Sequence, residues 1–160
     1  MSGSVSDSVV LHVRLNQEDG WPPVGMEEIR GIASGDHEYV VASTPWFARE
    51  LAIGDVVRVA HHGDSGTPWL DELVSSGSHS TVRVIVFSAA GPEAVERLWS
   101  DLKATGCVVT QTTFKGLTAV DVPADVDYGS VVSLLSVAED RGVCEYEEGA
   151  ISEKHRADAA

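Results

Sequence analysis

The chain has 160 residues, 43% of them hydrophobic, which suits one ordinary domain or two small ones and supplies apolar material for a sizeable core. Its formal net charge is -14, from 25 acidic against 11 basic residues. Such a surface repels phosphate backbones and anionic lipid, so it argues against nucleic-acid and membrane partners; it favours a protein with a basic surface, unless the charge serves solubility alone.

Residues 1–7, MSGSVSD, are small and polar and read as a disordered start without the basic and apolar regions of a signal peptide. No apolar run approaches the roughly 20 residues of a membrane span. Cys107 and Cys144 fall at strand positions and fit no zinc spacing. The expectation is a cytoplasmic protein with reduced thiols and without cofactor or metal.

Alternation predicts a first strand over Val9–Leu15, with Val9, Leu11, Val13 and Leu15 on one face. Trp21-Pro22-Pro23 forbids both helix and central strand in the loop that follows. Met26–Ala33 and Glu38–Ser43 flank Ser34-Gly35-Asp36-His37 as a hairpin, although Met26–Ile32 also reads as a short helix. Thr44-Pro45-Trp46-Phe47 is an aromatic turn, Gly54-Asp55 feeds a strand over Val56–Ala60, His61–Pro68 reads as a polar loop, and Trp69–Val74 as a further strand. Residues 8–78 thus form a small β-rich domain, a meander closing as a barrel or curled sheet.

The second half is more regular. Thr81–Phe87 is almost wholly apolar, as expected of a central strand covered on both faces. Pro92 stands at a first helical position, Val95, Leu98, Trp99 and Leu102 form an amphipathic stripe, and Gly106 ends the helix. Cys107–Thr113 and Leu117–Val122 make a hairpin around Lys115-Gly116. Asp127 is a candidate N-cap for a helix carrying Val131, Leu134, Leu135 and Ala138; Gly142 stops it before a last strand, Val143–Tyr146. The order βαββαβ over 79–150 predicts a ferredoxin-like sandwich, making the protein α+β, with residues 151–160 a flexible, solvated tail.

The segments His12-Val13-Arg14-Leu15, Trp21-Pro22-Pro23, Thr44-Pro45-Trp46-Phe47, Gly54-Asp55-Val56-Val57, Gly77-Ser78-His79-Ser80-Thr81, Ala119-Val120-Asp121-Val122-Pro123 and Glu145-Tyr146-Glu147-Glu148-Gly149 span nearly the whole chain. On these the chain resembles a bacterial family known as a domain of unknown function. The resemblance implies no catalytic residues. In that family the aromatic turn is more usually Pro-Phe-Phe or Pro-Phe-Tyr; Pro45-Trp46-Phe47 keeps its bulk.

Candidate chemistry is sparse. His79, beside Ser78 and Ser80, is a candidate general base, with Ser80 as nucleophile and Asp71 or Asp121 as orienting acid; the plainer reading is a hydrogen-bonded turn that sets strand register. His61-His62-Gly63-Asp64, with Asp71 and Glu72, holds metal-ligand residue types, but adjacent strand residues face opposite ways and no further pair completes a site. Trp21, Trp46 and Phe47 are either binding anchors or plugs closing the ends of the barrel. Glu145, Tyr146, Glu147 and Glu148 form an acidic stretch around one aromatic, suited to a basic partner or to guarding a terminal strand from edge pairing. The predicted sheet lacks the aromatics of an RNA-stacking platform. The favoured expectation is a non-enzymatic acidic interaction module for a basic protein, regulator or inhibitor-like. The alternatives are a small-molecule sensor acting as a homodimer and a hydrolase centred on His79.

Overall fold

In a computed structural model, residues 7–62 and 66–159 are described. The protein is α+β. Five strands, β1 (Val9–Arg14), β2 (Met26–Gly35), β3 (Glu38–Val41), β4 (Val56–His62) and β5 (Thr67–Ser75), close into a barrel in that order. The neighbours pair antiparallel, and His12 of β1 bridges Trp69 of β5 in parallel to shut it. A second, separate sheet comprises β6 (Ser80–Val86), β7 (Val108–Gln111), β8 (Leu117–Val122) and β9 (Cys144–Ala150), ordered β7-β8-β6-β9 and antiparallel throughout. Helix α1 (Pro92–Thr105) connects β6 to β7, and α2 (Tyr128–Asp140) connects β8 to β9.

Three expectations are corrected. Met26–Ile32 is strand, not helix: Glu27, Ile29 and Gly31 are buried while Met26, Glu28 and Arg30 are exposed, a period of two. His61–Pro68 is not a polar loop throughout, because ladder pairs of β4 and β5 continue to His62↔Thr67, carrying polar residues on a barrel wall whose outer face is wet; Gly63 and Asp64 lie outside the described residues, as do residues 1–6 and Ala160. The tail is not free either. Glu153–Ala159 forms α3, and His155 is fully buried. The expected terminators hold: Pro92 begins α1, and Gly106 caps its end at φ 109 in the left-handed region. Asp127 precedes α2, but its carboxylate accepts from the Ser130 hydroxyl and not from a backbone N–H.

Strand parity assigns each side of the second sheet to a different cover. Val82, Val84, Val120, Val122 and Cys144 point to α1 and α2 and join Leu98, Leu102, Val131 and Leu135 in one core. Ile85 and Leu117 point the other way and pack, with Phe114, against the barrel core of Leu11, Val41, Phe47 and Val57. The strand that reads as covered on both faces therefore has helices on one and the barrel on the other.

One charged residue interrupts that apolar strand. Arg83 is 2% exposed and donates through Nη2 to the carbonyls of Phe47 (2.8 Å) and Ala48 (3.2 Å). From the opposite side Glu27 of β2, also buried, accepts from the amides of Trp46 (2.5 Å), Phe47 (3.0 Å) and Ala48 (2.7 Å). The aromatic turn is thus held between a carboxylate and a guanidinium that satisfy its donors and acceptors in turn, and such charge-assisted bonds are stronger than neutral ones. Glu50 N–H to Gly149 O (2.8 Å) and Thr81 Oγ1 to Leu51 O (3.0 Å) continue the seam.

Gly149 lets Arg83 lie flat, because a Cβ built there would overlap the Arg83 Nη1. Gly149→Ala is expected to displace the guanidinium from the turn and to destabilise the protein by about 1–3 kcal/mol in urea unfolding, the usual cost of overpacking a filled interior; a neutral result would mean that Arg83 has other room.

Candidate functional site

The residues with the most chemistry gather where the barrel hands over to the second sheet. Gly77 donates its N–H to Asp55 Oδ1 (2.9 Å), and Asp55 Oδ2 accepts from Ala52 N–H (3.0 Å). Gly77 packs on the Gly54 backbone so closely that a Cβ would overlap it, and Ser78 takes a left-handed φ of 70. This pinned loop delivers His79 to the start of β6, where its Nδ1 lies 2.9 and 3.1 Å from the two oxygens of Asp121. A carboxylate accepts, so Nδ1 carries the proton, and in the neutral ring Nε2 keeps its lone pair.

His79 borders a cleft of about 340 Å3 shared by Asp55, Ser76, Ser78, Glu148, Lys154 and Arg156, with Asp121 behind it. Burial raises the Asp121 carboxyl above its ordinary range, opposed by the bond and charge of His79. Burial likewise raises Asp55, opposed by the Gly77 and Ala52 amides and by His79. The arrangement can accept a proton at Nε2.

It does not contain the expected nucleophile. Ser80 is fully buried and, by strand parity, faces away from His79. Its Oγ lies 2.5 Å from His155 Nδ1 and accepts from Ser152 N–H at 3.0 Å. His155 Nε2 donates to Pro123 O (3.0 Å), which leaves Nδ1 to accept the Ser80 proton, and the ring stacks on Tyr128 with centroids 5.3 Å apart. The Ser–His contact is therefore a lock for α3, not an activated hydroxyl. Asp71 is exposed on β5, and the carboxylate that orients His79 is Asp121. The His79–Ser80–Asp71 constellation is corrected to a His79–Asp121 dyad.

The loop aromatics form a seam. Trp21 meets Phe47 edge-on (5.6 Å), Phe47 meets Phe114 (5.0 Å), and Trp46 meets Phe114 (6.0 Å). Phe114 belongs to the turn between β7 and β8, so the aromatic turn plugs the barrel against the second sheet. Trp21, 40% exposed, keeps a free face.

Parity also divides the acidic stretch of β9. Tyr146 and Glu148 face the helices, where Glu148 accepts from Tyr128 OH (2.5 Å) and Tyr146 OH meets Ser136 Oγ (3.3 Å). Glu147 faces the barrel and pairs with Arg49 at 3.4 Å. Glu145 is exposed and, among the described residues, carries no ion pair. Burial, then the charges of Glu139 and Glu145, push the Cys144 thiol up to about 11, which leaves it neutral and poorly nucleophilic.

Sequence reasoning missed Glu27, Arg83 and His155. Glu27 and Arg83 each carried a signal, a charge at an inward strand position. Ser152 accepts from His155 N–H (3.2 Å) as the cap of α3, a helix-start signal that was there to be read. Among the described residues no group of three His, Cys, Asp or Glu side chains could hold a metal ion, and no helix is long and apolar enough to cross a membrane.

Residues 27–146 match the model of a domain of unknown function, DUF4265, and the chain belongs to that family. A hypothetical protein from Neisseria gonorrhoeae, known from a crystal structure, is similar in fold, with a TM-score of 0.77 at 16% identity over 91% of this chain and 96% of that one. No curated protein matches the chain.

Burial lowers the His155 pKa below its ordinary 6.5, so below that pH the unfolded chain binds a proton that the folded ring does not. Stability from this residue is therefore complete above pH 6.5 and is lost as pH falls toward the lowered native value. His155→Phe, which keeps the ring stack, is expected to flatten the stability profile between about pH 6.5 and 5 relative to wild type, read by urea unfolding at each pH. Parallel profiles would show that His155 titrates as freely in the fold as outside it.

Proposed function

We propose that the protein is a non-enzymatic interaction module that presents an acidic corner to a basic protein surface, in the manner of a regulator or inhibitor. The observation that carries this is the cluster at the α2–β9 junction. Glu139 and Asp140 end α2, Glu145 opens β9, all three are exposed, and none has an ion pair among the described residues. Cys144, whose thiol the charges of Glu139 and Glu145 both push up, lies between them in the chain. Charges left unpaired in a chain of net charge -14 cost self-repulsion, and a basic partner relieves it. Ser80, the expected nucleophile, is buried against His155 and faces away from His79, which weighs against the hydrolase alternative.

In the same reading the second sheet is a ferredoxin-like scaffold, supported by the order β7-β8-β6-β9 with α1 and α2 as crossovers. A cytoplasmic setting is supported by the two buried free thiols, Cys107 and Cys144.

The triple reversal Glu139→Lys, Asp140→Lys and Glu145→Lys is expected to keep the unfolding midpoint, since all three are surface positions. It should lose, by about tenfold or more, a salt-sensitive partner captured from native lysate. Capture of the same proteins at the same strength by the reversed variant would sink the proposal.

A further inference from the structure

A groove of about 930 Å3 lies between α1 and α2. Ala94, Leu98 and Asp101 line it along α1, and Ser130, Leu134 and Val137 along α2, each row stepping by four and then three residues. Rows at that spacing are the ridges against which a further helix packs. From Gly129 to Arg141 the α2 wall is roughly 18 Å long at 1.5 Å per residue, or about three turns. Val137, 48% exposed, holds an apolar side chain in water beside the half-buried Leu134 and Val143.

Charge says what the occupant carries. Along the groove Arg97 and Arg141 offset Asp101 and Asp127, so its walls are neutral as a set. Its Arg141 end reaches Val143 and the α2–β9 junction, where Glu139, Asp140 and Glu145 stand exposed, three acids against the one arginine. Glu139 and Asp140 occupy the last turn of α2, which holds no base, so they add to the negative end of the helix dipole. A ligand that fits both the neutral apolar length and the acidic end is a helix with an apolar stripe and a basic terminus. No helix of this chain offers one among the described residues: α1 and α2 spend their stripes on the core of the second sheet, and α3 is locked by His155. We propose that a basic amphipathic helix of a partner protein lies in this groove, its apolar stripe on Leu134 and Val137 and its basic end against Glu139, Asp140 and Glu145. The proposal rests on the acidic corner as a docking site and names the element that docks there.

The test is an NMR titration of the full chain, following the methyls of Leu134 and Val137. The probe is a lactam-stapled helical peptide of about 14 residues, made of leucine, alanine and lysine, with one leucine stripe and its lysines at one end. A stapled peptide of the same composition in scrambled order is the control. The amphipathic peptide is expected to give saturable methyl shifts and to bind at least about tenfold more tightly than the scrambled one. Val137→Asn and Ser133→Tyr, which fills the groove, are both at exposed positions; each is expected to keep the unfolding midpoint, to weaken the amphipathic peptide about tenfold and to leave the scrambled one unchanged. The triple reversal of Glu139, Asp140 and Glu145 to lysine is expected to weaken both peptides. Equal binding of the two peptides, untouched by Val137→Asn, would overturn the groove and leave the acidic corner standing. Amphipathic binding at full strength in the triple reversal would overturn the proposal together with the corner. No saturable shift up to roughly 1 mM peptide would overturn the groove, and so would self-association of the chain that Val137→Asn abolishes, by naming a second copy as the occupant.

Discussion

One short turn, held by opposite charges, is gripped by both halves of this protein. Residues 46–48 present amides to Glu27 and carbonyls to Arg83, so a barrel strand and the central strand of the second sheet grip the same piece of backbone from either side. Buried charge is normally a liability. Here every peptide unit of the turn has a charged partner, and Glu147 and Glu27 oppose the effect of burial on the Arg83 guanidinium. The aromatic seam of Trp21, Phe47, Phe114 and Trp46 depends on this grip, because it is these backbone atoms that aim Trp46 and Phe47 at Phe114.

A second constraint, the period of two along a strand, decides what each chemical group can do. It sets His79 and Ser80 on opposite faces, so the histidine borders an open cleft while the serine closes a buried lock on α3. It also splits the acids of β9, giving Glu148 to Tyr128 and Glu147 to Arg49, and leaves Glu145 with Glu139 and Asp140 as the unspent charge. The acidic corner is smaller than the run of glutamates in the sequence, and it sits at the start of the strand.

Much of the architecture was legible because it rests on local periodicity. The α1 stripe, Pro92, Gly106 and the apolar strand β6 each announce themselves within a few residues. What was not legible depends on contacts distant in sequence. The helix α3 is held by Ser80, some seventy-five residues away, and its seven residues, EKHRADA, show no stripe of large apolar side chains to reveal that His155 is its core residue. Glu27 and Arg83 were visible as charges at inward positions, but their common partner is backbone, which leaves no mark on side-chain identity. The orienting acid of His79 was similarly ambiguous, since only the register Thr81↔Asp121 brings Asp121 beside the entry to β6 and leaves Asp71 on the outer wall of the barrel.

The clamp, more than any one surface patch, is the feature on which the remaining functional arguments stand. The acidic corner is presented by the sheet that Arg83 anchors. Native-state hydrogen exchange at the amides of Trp46, Phe47 and Ala48 tests this most directly. If Glu27 and Arg83 hold the turn as described, these three amides open only with global unfolding and share the exchange free energy of the β6 amides. Exchange at the rate of an open loop, orders of magnitude faster than β6, would contradict the account.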